Sequence, residues 1–436
     1  LNVTVGTQEQ PAHSKRKAVI AGLLVLATAA IAVWALWPDR EPESPARIAV
    51  LAFDDHSTGA DKAWLSDAIA EGLITELARY REFQVIARNS SFSFRNSAKD
   101  IIEIATELNA DYVIEGSQQK SGDNLRVTAQ MIDGSDGSHI WAGEFDAGIG
   151  ELFDVQSRIV LSIATQIGYE LFFKAPRAGG EQRVSALHYF VKGNEAFYKG
   201  EREARIEASD YYQKSIEADP EAPFGYSGMA TLIWSDVRKK WVFPDVPRDE
   251  LLQRGVDYAE KAIALDQTYY RGHVARGDIH FAAGEHENAI LRYKIAAELN
   301  PSNSESLAAA ADPLLYLDRV DESIDLMERA IEINPIAPDW YLNNLSRAYW
   351  AAERCEDGLQ TISKVLSFRP WDYRALIVNL VCLGDLEAAE AAGEKLLKLD
   401  PNFTVSGHGN SIKEVINNPG YLERWLSGLR AASLPE

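Results

Sequence analysis

The sequence predicts an α/β domain followed by an all-α solenoid of helical hairpins, preceded by one N-terminal transmembrane helix. Three observations carry this. In the second half a polar residue and a proline recur at Asp219-Pro220, Asn300-Pro301, Asn334-Pro335, Arg369-Pro370 and Asp400-Pro401, with the prolines 81, 34, 35 and 31 residues apart. Upstream, short apolar runs alternate with helical patterns. Near the start, residues 18–37 are twenty consecutive positions without a charge. A period near 34 marks stacked helical hairpins, each unable to bury its apolar face alone. Alternating strand and helix patterns mark an α/β layer. Twenty apolar residues at 1.5 Å each reach the hydrocarbon thickness.

Taken in chain order, residues 1–17 are polar and end in Lys15-Arg16-Lys17. Asp39, Arg40, Glu41 and Glu43 follow the apolar run, and Trp34 and Trp37 stand where an interfacial belt would. The positive flank stays in the cytoplasm, so the expected topology is a single-pass bacterial inner-membrane protein with residues 40–436 periplasmic. The rival is a cleaved signal peptide ending at Ala27-Thr28-Ala29. The apolar stretch continues past Ala29, which favours the uncleaved anchor, and both readings export the remainder. The chain opens on Leu1 rather than methionine, which raises the expectation of a domain upstream.

After a linker at 38–45 with Pro38, Pro42 and Pro45, residues 46–176 form the α/β unit. Residues 47–53 read as a buried strand. Leu65, Ile69, Leu73 and Leu77 then fall at spacing four, a helical stripe with Ala68 and Gly72 beside it. Residues 83–87 are a second strand, and Ser97 is the expected cap of a helix carrying Ile101, Ile104, Ala105 and Leu108. Strands at 112–119, 125–133 and 139–145 are separated by Ser121-Gly122-Asp123-Asn124 and Gly134-Ser135-Asp136-Gly137. A helix over 152–171 closes the order β-α-β-α-β-β-β-α.

The hairpin array spans 184–401 in about six units, with 402–436 as its cap. Proline ends each second helix, since it lacks the N–H and disfavours helix in the residue before it. In the unit ending at Pro301, Gly277, Ala289, Tyr293 and Ala296 sit where helices cross, with Gly284 at the turn. In the next unit Asp318 replaces that glycine. The unit ending near Gln267 is irregular, with an insertion around 234–249 that carries Trp241, Phe243, Pro244 and Pro247, read as a loop or an extra turn. These spacings resemble the tetratricopeptide repeat. The stretches RIAVLAFDD, FQVIARNSSFSFR, ADYVIEGS and LRVTAQMIDGSDGSHIWAGEFD resemble the TolB-N-terminal-like domain, and residues 421–430 resemble how such chains finish. In that family the module follows a membrane helix. On the cytoplasmic side lies either a class III adenylate or guanylate cyclase domain or a winged-helix DNA-binding domain. The resemblance therefore implies a sensory or scaffolding role, or the regulatory half of one of those two effectors.

A formal net charge of −21 argues against nucleic acid as a partner of this portion, since phosphate binding needs a basic surface. Phosphate-loop, nucleophile-elbow and His-Glu-x-x-His motifs do not occur, and the expectation is no catalysis, no cofactor and no metal. His273, His280 and His286 read as repeat packing or solvent-facing positions rather than as metal ligands. Cys355 and Cys382 leave two alternatives, one disulfide between neighbouring repeats or two buried free thiols, and the second is the expectation.

Two candidate sites emerge. Asp54 and Asp55 follow the first strand, and Arg88, Asn89 and Ser90 follow the second. The crevice beyond strand C-termini is where open α/β sheets take ligands. The bland alternative pairs Arg88 with Asp54 to fix the turns. On the concave face of the array, lined by first helices, Asp278, Phe281, Asn343, Arg347 and Trp350 suit capture of an extended peptide from a partner in the cell envelope. Trp350 serves equally as a stacking contact with the adjacent repeat.

Overall fold

The computed structural model describes residues 45–57, 63–80, 83–166, 180–416 and 418–436. The predicted membrane helix at 18–37 lies outside them; among the described residues no helix is long and apolar enough to cross a membrane. Ala46–Glu436 packs as one unit, a mostly helical solenoid with a small sheet region at its N-terminal side.

The sheet contains β1 (Ala46–Val50), β2 (Asp54–Asp55), β3 (Phe83–Val85), β4 (Tyr112–Ser121), β5 (Asn124–Asp133) and β6 (His139–Gly148), in the order β3-β1-β4-β5-β6, with β2 pairing on β4. β1 runs parallel to β3 and β4, whereas β4, β5 and β6 form an antiparallel meander. Alternation along a strand sends Ile48 and Val50 to one face and Ala49 and Leu51 to the other. The first face packs on α1 (Ala63–Leu77) and α4 (Leu152–Gln166), through Leu65, Ile69, Leu73 and Leu77 of the predicted stripe. The second face packs on α3 (Ile101–Leu108) through Ile104 and Leu108. Parallel strands covered on both sides explain why β1 reads as a continuous apolar run.

Three details differ from expectation. Asp54 and Asp55 form β2, a two-residue strand paired on β4 that was not predicted. Residues 88–92 form a short helix, α2 (Arg88–Phe92), where none was predicted. Asp100, not Ser97, caps α3: its carboxylate accepts from Glu103 N at 2.8 Å and the Glu103 side chain returns to Asp100 N at 3.2 Å. A reciprocal capping box satisfies two end groups, which a lone serine further upstream does not reach.

Six hairpins follow. They are α5 (Glu181–Lys199) with α6 (Arg202–Ala218), α7 (Phe224–Lys239) with α8 (Arg248–Leu265), and α9 (Tyr270–Ala282) with α10 (His286–Leu299). The remaining three are α11 (Ser304–Tyr316) with α12 (Val320–Ile333), α13 (Asp339–Ala351) with α14 (Cys355–Ile362), and α15 (Pro370–Cys382) with α16 (Leu386–Leu399). Regular turns place one residue in the left-handed region: Gly200, Gly284, Asp318, Glu353 and Gly384, with φ between 57° and 78°. A Cβ at Gly277 would sit 2.6 Å from the Tyr293 ring, and one at Gly193 would sit 2.5 Å from Tyr212. Small residues on first helices are thus the sockets for tyrosines on second helices. In the irregular unit α7 is extended to Lys239, and the Asp236 carboxylate anchors the loop beyond it by accepting from the N–H groups of Trp241, Val242 and Phe243 at 2.8–3.0 Å.

The cysteine expectation is corrected. Cys355 opens α14 and Cys382 ends α15, their Cα atoms lie 6.2 Å apart, and the two form a disulfide. The reason is the stacking of successive hairpins, which brings the start of one second helix beside the end of the next first helix. α17 (Val405–Ile412) and α18 (Pro419–Ala431) complete the chain.

Candidate functional site

The crevice residues are not gathered into one pocket. Asp54 is exposed and lines a groove of about 920 Å³ over the outer face of β4–β6, together with His56, Arg95, Lys99, Glu115 and Glu144. Asp55 turns inward and accepts from Ser57 N at 2.7 Å. Arg88 pairs with Asp67 at 3.3 Å and Glu71 at 3.5 Å, not with Asp54, and lies 4.3 Å over the Phe92 ring. The physical reason is spacing: Asp67 and Glu71 are one turn apart on α1, so two carboxylates share the face that Arg88 meets. Asn89 is exposed.

Ser90 instead joins the sheet domain to the array. Its hydroxyl donates to Asn334 Oδ1 and accepts from Ile336 N, the latter at 2.9 Å. Around it Ala87 N donates to Ile333 O at 3.3 Å and Val85 N to Ser302 Oγ at 2.9 Å. The polar-proline junctions that mark the period thus also dock the sheet. Arg271, in the first turn of α9, pairs with Glu71. Burial alone would raise the Glu71 pKa, yet the Arg271 and Arg88 guanidiniums hold it below the usual carboxylate range.

All five array residues lie on first helices, and each is engaged by the chain itself. Asp278 is buried and accepts from Tyr293 OH at 2.8 Å. Burial pushes its pKa up to about 7, against the Tyr293 hydrogen bond and helped by Glu305. Phe281 stacks on Tyr316, centroids 6.0 Å apart. Asn343 donates to Asp372 Oδ1 at 3.0 Å in the next repeat. Arg347 reaches Asp312 at 3.2 Å, Tyr316 OH at 3.1 Å and Tyr421 OH at 3.3 Å. Trp350 is buried, edge-on to Tyr421 at 5.6 Å and to Trp425 at 5.4 Å, with the Arg424 guanidinium 4.6 Å over its ring.

Tyr421, Arg424 and Trp425 all belong to α18, so the final helix covers the inner face at Arg347 and Trp350. Asn418 fastens its start by donating to Tyr316 O at 3.2 Å and Asp318 Oδ1 at 3.0 Å. Sequence reasoning missed this occupant. The available signal was Tyr421 and Trp425 at spacing four, an aromatic stripe on a helix outside the proline-marked period. The histidines find local partners: His273 contacts Gln267 O at 3.1 Å, His280 contacts Glu285 at 2.6 Å, and His286 packs against both the Phe281 and Tyr316 rings.

Residues 44–161 match the family described as HilA/YgeH-like transcriptional regulator, second domain. The putative adenylate cyclase 3 of Rhizobium meliloti (strain 1021) is 30% identical over 242 residues, 53% of this chain and 40% of that protein. Hsp70-Hsp90 organizing protein 2 of Arabidopsis thaliana is 30% identical over 132 residues, 30% of this chain and 19% of its own length. The chain therefore spans two fifths or less of the length of these relatives. Among solved structures, Pseudomonas aeruginosa pilF aligns over 51% of this chain and 95% of its own, at 15% identity and a TM-score of 0.39.

Proposed function

We propose that the chain is a non-catalytic, membrane-anchored module that grips protein helices with the inner face of its hairpin array. It acts in the periplasm on a partner in the cell envelope. The observation that carries this is α18, which lies across Arg347 and Trp350 with Tyr421 and Trp425 one turn apart, the anchor spacing of a helix held in a groove. The seating of the chain's own helix there supports the reading that the surface takes helices. Membrane anchoring is supported by the apolar run at 18–37 with its basic N-terminal flank. Export is supported by the Cys355–Cys382 disulfide, because such bonds persist in oxidising compartments. The TolB-like reading of the sheet domain belongs to this proposal.

The test uses the full chain carrying Tyr421→Ala and Trp425→Ala, with a synthetic helix of residues 419–431 added in trans. Saturable binding to that variant, abolished by a further Arg347→Ala, is the expected result. A peptide that never saturates the opened variant removes the groove reading. A periplasm-dependent reporter fused after Glu436 tests topology, and activity confined to the cytoplasm overturns it.

A second reading makes the same module the regulatory half of a larger signalling protein. The similarity over 242 residues to a putative adenylate cyclase favours a nucleotide-cyclase effector. The match over 44–161 to a transcriptional regulator's second domain favours a DNA-binding one. The codons upstream of Leu1 decide between them: an in-frame cyclase or winged-helix domain selects the effector, and a stop codon followed by a nearby start leaves the stand-alone module.

A further inference from the structure

Between the sheet domain and the first half of the array lies a cavity of about 510 Å³. One wall is α1 and the start of α4; the other is α5, the first residue of α7 and the first turn of α9. Its floor is aromatic. Phe224 stacks on Phe153 at 6.4 Å, meets Phe190 at 6.1 Å and takes Tyr269 edge-on at 5.7 Å. Phe190, Phe224 and Tyr269 are buried even though their rings border the cavity.

Three guanidinium groups line the same space, and they are not equivalent. Arg271 is committed to Glu71, and Arg79 to Glu76 at 3.3 Å. Arg183 lies 5.4 Å over the Phe224 ring, and its nearest carboxylate, Asp219, is at 4.0 Å, the outer limit of an ion pair. The acidic group on the array wall, Asp266, already accepts from Thr268 N at 2.9 Å and Thr268 Oγ1 at 2.8 Å. A guanidinium stacked on an aromatic face still has its in-plane N–H donors for hydrogen bonding, and its fork matches a carboxylate in two parallel hydrogen bonds.

We propose that this cavity binds a small apolar carboxylic acid, aryl or medium-chain, with its carboxylate on Arg183 and its apolar body on the Phe153–Phe224–Phe190 floor. The volume is that of small-molecule sites, which favour domain interfaces and combine an apolar lining with a few convergent polar groups. Arg183 and Phe224 take no part in gripping α18, so this site stands or falls separately from the groove. Since the two walls belong to different domains, a bound acid adds contacts that exist only while the domains are docked, and it stabilises the docked state by mass action.

The test titrates the full chain with 3-phenylpropanoate, using 3-phenylpropanamide and phenethylamine as neutral and cationic counterparts, by ligand-observed NMR and calorimetry. The acid is expected to bind about tenfold tighter than the amide, the size of one charge-assisted contact. Arg183→Ala removes that preference and Arg183→Lys keeps part of it. Arg126→Ala, on the exposed face of β5 where Arg126 pairs with Asp146 at 2.7 Å, leaves it intact. In the wild-type chain, with no substitution to unfold it, the acid slows amide exchange in both α1 and the start of α7. Equal affinity for acid and amide, tighter binding of the amine, an Arg183→Ala variant that keeps the preference, or exchange slowed in one domain alone each overturns the proposal.

Discussion

Asp278→Asn should stabilise the array at neutral and basic pH and do nearly nothing in acid. Asp278 is 8% exposed, its carboxylate accepts from the Tyr293 hydroxyl, and its pKa stands at about 7 against an ordinary 3.8. A carboxyl whose folded pKa is raised binds its proton more tightly in the native state. Its stabilising contribution is therefore full below about pH 3.8 and is lost as pH rises through about 7. At 1.36 kcal/mol per pKa unit, the ionised carboxylate costs the folded state about 4 kcal/mol once pH exceeds that window. Asparagine accepts the same Tyr293 hydroxyl proton and never ionises. The difference between variant and wild type should therefore grow from near zero at pH 4 to a few kcal/mol by pH 8. Repeat arrays can lose two-state cooperativity, so the assay is amide exchange in α9 and α10, read as opening free energies across that range. Subtracting wild type from variant cancels the other titrating groups. Identical pH slopes for the two proteins would show that Asp278 does not titrate there, and the burial argument would fail.

Three further outcomes follow from the same structure. Cys355→Ser should lower array stability by about 3.5 kcal/mol, the chain-entropy value for a loop closed across 27 residues, and mass spectrometry should show no alkylation of the wild type before reduction. Arg271→Ala leaves half-buried Glu71 with only Arg88 and should weaken the seam between sheet and array by about 3 kcal/mol, with faster exchange in α1; adding Glu71→Gln should restore most of it. Asp236→Ala removes the acceptor of three backbone N–H groups and should destabilise the 240–247 loop by about 2–4 kcal/mol, seen as proteolytic nicking beside Trp241.

Much of the fold was legible because it rests on local periodicities. The stripe Leu65, Ile69, Leu73 and Leu77 became the buried face of α1, and Gly284 and Asp318 took the left-handed turns that hairpins require. The candidate sites were less legible. Along the chain Arg88 and the Asp54-Asp55 pair both follow strand ends, but the helix face above Arg88 decides its partners, and Asp67 and Glu71 reveal their shared face only once α1 is placed. Trp350 carried two readings because a ring on a first helix packs identically against a foreign peptide or an adjacent repeat; the structure sets it against the final helix instead.

The sequence by itself determined the repeat period, the five longer strands and the main helices of the sheet domain, and the small residue that receives Tyr293, since each depends on backbone geometry within a few tens of residues. Only the tertiary structure decided that Ser90 docks on Asn334, that Glu71 meets Arg271, that Cys355 bonds Cys382, and that α18 lies on the array's inner face. Two of these contacts join residues 200 or more positions apart. No pattern along the chain encodes such separations; the stacking of hairpins sets them, and that stacking exists only once the whole array has formed.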